Sequence, residues 1–425
     1  MSPSSRDPWL DNVKMVLVTL VVVGHSIGLV EATQGSHWVY DFIYLWHIPA
    51  FVFVSGYLSK SFEWDRRRMK NLVYTLLVPY LIFEPALFYF RRTVADEDVT
   101  GPLWLEPHWT MWYLIVLLMW RLITPILKLH WLFLPISVIV SLLGGLWDTD
   151  ALMLPRFLGL LPFFVLGLYL KPRHLKHLDD VWVRLAAVPL LVGIGIMAVY
   201  TDTWAETAIL WYDTGYAEIP IDNEIIFQTR LTVMMVGLVG AFAAMSLVPR
   251  RSLGWFTTMG TATMVIYLFH GFVIKTVMVM GWPEFTAAHE VLGLVLTIVG
   301  AIALSLFLAA PPVRRVLEPL TNPLGWLEAR RHRTHGSAAP ATSPAPATQA
   351  APGPAPATSA GPTSEAPTSE APSPAPPPRV DSEPLHPGGP GATWPVPPVA
   401  AGGGADPATP PAATSSDDRG PASTP

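Results

Sequence analysis

A lysine and a histidine stand in one apolar run, Asp11-Asn-Val-Lys-Met-Val-Leu-Val-Thr-Leu-Val-Val-Val-Gly-His25. On an α-helix their separation turns through about 1,100°, three turns plus roughly 20°, so Lys14 and His25 point along one face about 16 Å apart. Asp11 lies near that face, one turn before Lys14. Ionisable groups inside an apolar span are expensive and mark function by default. An imidazole there is suited to act as a general base or proton carrier. The face reads as the wall of a reaction channel with a cation at its mouth.

Other polar groups can meet that wall. His47 lies in Leu45-Trp-His-Ile-Pro-Ala-Phe-Val-Phe-Val-Ser-Gly-Tyr57, about two turns into the next span. Consecutive helices are usually neighbours, so His25 and His47 are expected to face one cavity. An interfacial histidine beside Trp46 is the plainer alternative. Glu84, between Pro79 and Pro85, should face protein or water. It is a candidate to orient an imidazole, or a structural partner for Arg121, Arg230 or Lys275. His270, in Tyr267-Leu-Phe-His270, is a third imidazole at similar depth. His108-Trp-Thr-Met-Trp-Tyr113 opens another span, and its Trp112 and Tyr113 suit a sugar face, an acyl chain or an aromatic belt. The segment from Lys60 to Lys70 is the densest basic cluster. Arg66, Arg67, Arg68 and Lys70 are candidates for binding phosphates, although short inside loops are basic for topological reasons alone.

The elements that must hold these groups are apolar spans. The chain has 425 residues, 51% hydrophobic and only 14% charged, against about a quarter charged in soluble domains. About ten transmembrane helices are expected, near 13–30, 40–59, 72–90, 109–127, 131–147, 152–170, 181–200, 226–248, 262–280 and 290–310. The fold class is an all-α integral membrane protein. Basic residues cluster in alternate loops, which places both termini in the cytoplasm by the positive-inside rule. The first helix reads as retained, not as a removed signal peptide. The segment 201–225 brings Trp204, Trp211, Tyr212 and Tyr216 together with Asp202, Glu206 and Asp213 on the outer side. It is a plausible sugar surface or an ordinary acidic loop. Residues 1–315 form the transmembrane domain and 316–333 a basic juxtamembrane segment. The Pro/Ala/Ser/Thr/Gly-rich stretch 334–425 reads as a disordered tail.

Several chemistries are disfavoured. The absence of cysteine removes disulfides, thiolate catalysis and Cys-ligated metals. There is no HExxH or Cys/His cluster, so no metal site is expected, and no Walker, Rossmann or GxSxG pattern. A net charge of −5 without a concentrated basic patch argues against nucleic acid as a partner.

These motifs resemble the acyltransferase 3 family of multi-spanning O-acyltransferases, which includes fucose 4-O-acetylase-like proteins. The basic residue, ten intervening positions and histidine of the first helix are met by Lys14 and His25. The segments from His47 to Tyr57, Val78-Pro79-Tyr80, Trp112-Tyr113-Leu and Tyr267-Leu-Phe-His270 resemble later family segments, in order, over roughly 7–310. The resemblance implies transfer of an acyl group, acetyl first among them, from acetyl-CoA or another acyl-CoA as co-substrate to a carbohydrate or glycan hydroxyl. It implies no bound cofactor and a multi-pass location in the cell membrane, with the lipid bilayer as surroundings. Lys14 with Arg66, Arg67, Arg68 and Lys70 would hold the donor. His25 would be the catalytic base or acyl carrier, with His47, Glu84 or His270 assisting. The basic residues 66–70 do not align uniquely with the family's Arg-x-x-Arg pair. A different class fits the same polar groups: a secondary transporter whose histidines and glutamate relay protons. The lack of visible repeated halves counts against it.

Overall fold

The first helix starts at a cap that the sequence supplies. Asp7 accepts a hydrogen bond from the Trp9 amide at 3.0 Å, and Pro8 occupies the first helical turn, where a missing N–H costs nothing. The computed structural model describes residues 7–30, 32–147, 151–222 and 224–336. Among the described residues every regular element is helical.

Helix α1 is Pro8–Ile27. Helices α2 (Gln34–Tyr44) and α3 (His47–Ser59) form one run broken at Leu45 and Trp46. Helix α4 (Arg66–Leu72) passes through a π-helical turn, Val73–Leu77, into α5 (Val78–Thr93). The wide turn has a local cause. Pro79 has no N–H, and its ring would crowd the carbonyl four residues back. Bonding the Val78 amide to the Val73 carbonyl opens the turn before it. Helices α6 (Trp112–Leu127) and α7 (Phe133–Gly144) follow, then α8 (Leu154–Gly159) and α9 (Leu161–Tyr169). After the short α10 (Pro172–Lys176), α11 (Val181–Val199) is long and apolar. The segment 201–225 holds two short helices, α12 (Thr201–Trp204) and α13 (Thr207–Trp211). The remainder is α14 (Ile226–Leu247), α15 (Trp255–Met259), α16 (Thr263–Val279), α17 (Trp282–Ala288), α18 (Glu290–Ala309), α19 (Pro311–Thr321) and α20 (Pro323–Gly336).

Seven of these runs are long and apolar enough to cross a membrane, and up to nine if each of two bent pairs is one span. All ten segments expected from the sequence are helical, but the count of ten spans is not reached on this criterion. Helices α8 and α9 meet at 56° where Pro162 interrupts the backbone ladder, and α16 and α17 meet at 65° where Gly281 adopts φ +85°. Helix α7 has only 12 residues. Helices α19 and α20 occupy the expected juxtamembrane segment, and α20 runs a few residues past its end. The rest of the expected tail lies outside the described residues.

The apolar surface fits a bilayer. Val188, Val192 and Ile196 of α11 and Val291, Val295 and Val299 of α18 are exposed in stripes that water would not favour. The protein is a multi-pass membrane protein. Inside the bundle α3 packs against α9 and α14. A Cβ at Gly56 would lie 2.1 Å from the Phe164 carbonyl oxygen, and one at Gly167 would lie 2.3 Å from the Phe53 carbonyl oxygen. Two backbones thus touch where neither helix carries a side chain, as small residues allow in membranes.

Gly56→Ala is therefore expected to cost about 1–3 kcal/mol by overpacking and to lower the unfolding midpoint in detergent. Gly193→Ala, where an added Cβ meets nothing within 4 Å, is expected to leave that midpoint nearly unchanged. Equal effects at the two positions would remove the close contact from the account of stability.

Candidate active site

The break between α2 and α3 sets His47 at the start of a helix facing α1 and α6. There it lines a cavity of about 320 Å³ together with His25, Tyr44, Trp109, Trp112, Tyr113, Arg156, Trp211 and Asp213. His25 and His47 thus face one space, as the neighbour argument expected. Trp112 and Tyr113 complete the wall.

The three imidazoles are not equivalent. The His47 Nδ1–H donates to the Ile43 carbonyl at 2.7 Å, and the His270 Nδ1–H donates to the Ile266 carbonyl at 3.0 Å. A carbonyl can only accept, so both rings are held with Nδ1 protonated. The Nε2 of His270 is buried with no hydrogen-bond partner among the described residues. His25 is only partly buried, and no hydrogen bond engages its ring among the described residues. It is held by packing: the Trp109 ring meets it edge-on with centroids 5.3 Å apart, and the His270 ring lies at 5.4 Å. Trp109 itself has φ +49°, a costly conformation for a bulky residue. The Lys275 ammonium sits 4.5 Å from the Trp109 ring centre and pairs with Glu97. Burial works to raise the Glu97 carboxyl. The hydrogen bonds from Lys275 and Arg91 outweigh it and hold the group below the usual carboxylate range.

Arg156 supplies a positive group to the same cavity. Its guanidinium pairs with Asp213 at 2.5 Å, donates to the Trp211 carbonyl at 3.1 Å and covers the Trp112 ring at 4.7 Å. The segment 201–225 thereby closes over the cavity with an aromatic ring and a carboxylate.

A second, polar cavity of about 900 Å³ lies at the opposite end of α3. Arg67, Arg68, Lys70, Tyr74 and Arg121 line it, with Asn322 and Glu328 from the last helices. A line of polar groups joins the two cavities. The Tyr113 hydroxyl in the first cavity bonds Ser55 Oγ at 2.5 Å. One turn on, the Ser59 hydroxyl donates to the Ser55 carbonyl at 2.7 Å. Arg121 in the second cavity donates to Ser59 Oγ at 3.2 Å.

The family model described as an acyltransferase domain matches residues 7–310. The chain belongs to the acyltransferase 3 family. It is similar to the nodulation protein NolL of Mesorhizobium japonicum, with 23% identity over 298 residues, which cover 64% of this chain and 78% of that protein. It is also similar to NolL of Sinorhizobium fredii, with 22% identity over 305 residues, 64% of this chain and 79% of that one. No solved structure matches the chain.

In this acyltransferase the remaining candidates stand outside the cavities or are held in ion pairs. Lys14 continues the Val21–His25 stripe of α1 but lines neither cavity; it pairs with the buried Asp11 at 2.7 Å. Arg66 is exposed outside the second cavity. Arg68 is paired with Glu63 and Asp65 at 3.2 Å each, and Lys70 with Glu328 at 2.7 Å. Glu84 stands outside the first cavity. It accepts the His108 backbone N–H at 2.9 Å and pairs with that residue's Nδ1, while His108 Nε2–H donates to the Thr100 carbonyl at 3.1 Å. None of the three partners expected for Glu84 meets it. Lys275 pairs with Glu97, Arg121 with Ser59, and Arg230 with the Ile209 carbonyl at 2.7 Å. Glu84 thus holds the segment before α6 against α5. Arg121 and Arg156 received no site role from the sequence. Their signal was a guanidinium in or beside an apolar span.

Glu84→Ala leaves His108 without its buried partner, a loss of about 3–5 kcal/mol when one member of a buried pair is removed. The expected result is a lower unfolding midpoint with acyl transfer per folded molecule within about twofold of wild type. A normal midpoint with abolished transfer would put Glu84 back among the reacting groups.

Proposed function

We propose that the protein transfers an acyl group, acetyl first among them, from acyl-CoA to a hydroxyl of a carbohydrate or glycan. The observation that supports this best is the His25 ring, accessible and free of hydrogen bonds among the described residues, in an aromatic cavity joined by polar groups to a basic one. The basic cavity suits the phosphates of CoA. Arg121 presents a guanidinium whose only described hydrogen bond is to a neutral hydroxyl, and Arg67 is exposed beside it. The arm of the donor would follow the seam from Arg121 to Tyr113, about 12 Å of rise along α6.

At the first cavity His25 removes the proton of the acceptor hydroxyl as its oxygen attacks the thioester carbonyl. Collapse of the tetrahedral adduct breaks the carbon–sulfur bond, and the imidazolium returns the proton to the departing CoA thiolate. Trp112, Trp211 and Asp213 are suited to a sugar, with the rings against its faces and the carboxylate toward a hydroxyl. Arg156 is placed to favour the developing oxyanion. His270, with Nδ1–H held by its own helix, presents a proton-accepting nitrogen behind His25. Both termini are assigned to the cytoplasm of a cell-membrane protein, with the basic cavity on that side and the acceptor on the other.

His25→Ala is expected to lower acyl transfer from acetyl-CoA to a glycan acceptor by at least about 100-fold, the usual worth of a general base. Transfer by the variant at the wild-type rate would end the assignment. Arg121→Met is expected to raise KM for acyl-CoA about tenfold or more while leaving KM for the acceptor unchanged. An effect confined to the acceptor would reverse the proposed direction of the seam.

A further inference from the structure

A third constellation lies at the end of the bundle where segment 201–225 covers the first cavity. His37 and Asp41 are one turn apart on α2, on one face, the spacing that lets two helix side chains share a metal ion. Asp202 of α12 meets them. One ligating atom from each of the three residues lies within 4.8 Å of the others.

The hydrogen bonds around the cluster fix what it offers. The Thr207 hydroxyl donates to Asp41 Oδ1 at 2.9 Å. Having donated, its oxygen can take the Nε2–H of His37, which lies 3.1 Å away. That arrangement leaves His37 Nδ1 as a bare lone pair. It faces Asp41 Oδ2 at 3.9 Å and Asp202 Oδ2 at 3.8 Å, too long for hydrogen bonds. Asp41 is fully buried, and its Oδ2 has no hydrogen-bond partner among the described residues. The nearby Thr201 hydroxyl donates elsewhere, to the Ala198 carbonyl at 3.1 Å. Three atoms able to ligate a cation converge here, one of them a buried carboxylate oxygen without a hydrogen-bond partner among the described residues.

We propose that His37, Asp41 and Asp202 bind a divalent metal ion of the kind that accepts imidazole and carboxylate together, Zn²⁺ or Mn²⁺. A cation equidistant from three atoms so spaced lies about 2.2–2.5 Å from each, and a small contraction of the cluster brings these distances to Zn–N and Zn–O lengths of about 2.0–2.2 Å. Thr207 acts as the outer partner that orients both the imidazole and the carboxylate. The ion ties α2 to the start of the segment that ends in Trp211 and Asp213. Its role is to hold the acceptor side of the cavity in place, and it takes no part in acyl transfer. The sequence showed no metal spacing because the third ligand comes from a distant part of the chain.

Full-length protein in detergent, stripped with a chelator, is titrated separately with Zn²⁺ and Mn²⁺ by calorimetry, and its unfolding midpoint is followed. One saturable site for either ion is expected, with a rise in the midpoint. His37→Ala and Asp202→Asn, both at exposed positions, are each expected to lose the site. Thr207→Val is expected to weaken it by about 10- to 100-fold. His289→Ala, an exposed histidine elsewhere, is expected to leave it intact. Absence of a saturable site for both ions, or a site that survives in both the His37 and the Asp202 variants, overturns the proposal.

Discussion

A polar atom inside a bilayer has no water to turn to, so its partner has to come from the protein. The arrangement of this bundle follows from how that demand is met. Two histidines meet it at one nitrogen, each passing Nδ1–H to the carbonyl four residues earlier, His47 across the α2–α3 break and His270 within α16. Glu84 meets it with His108, and Arg156 meets it with Asp213. His25 differs from these: it faces a cavity, and no hydrogen bond engages its ring among the described residues. A side chain whose hydrogen bonds are all taken is a poor catalyst.

The helices were legible because a span needs a long apolar run, and such runs stand out over any background. The breaks were harder. Pro162 and Gly281 are visible in the sequence, yet proline and glycine are tolerated in straight membrane helices when neighbours supply the missing bonds. Only packing shows that these two turn the chain by 56° and 65°. His25 and His47 were legible as a pair because consecutive helices tend to touch. Glu84 stood out as an unusual group and His108 as the opening of the next span, but nothing along the chain pairs the two. The densest basic cluster does line the second cavity with Arg67, Arg68 and Lys70, but Arg68 and Lys70 are held in ion pairs there while Arg121 stands with a hydroxyl. Charge density along a chain does not reveal which charges are already neutralised.

The two cavities differ in kind as well as in place. The first is walled by aromatic rings, with a few polar groups set among them. The second is larger and lined by guanidinium, ammonium and amide groups. Between them the Tyr113, Ser55, Ser59 and Arg121 contacts give a run of small polar groups in an otherwise apolar interior. One helix, α3, reaches both: His47, Ile48 and Phe51 line the first, and Leu58 and Ser59 line the second.

The glycine contact on α3 limits how that helix can change. Ser55 and Ser59 face Tyr113 and Arg121 only because they sit one turn apart, and Gly56 faces α9 only from its own angular position. Adding or deleting a single residue in α3 would rotate everything beyond it by about 100°. The hydroxyls would leave the seam and a side chain would swing against the Phe164 carbonyl. The length of α3 is therefore quantised: the separation of the two cavities can be altered by whole turns, not by single residues.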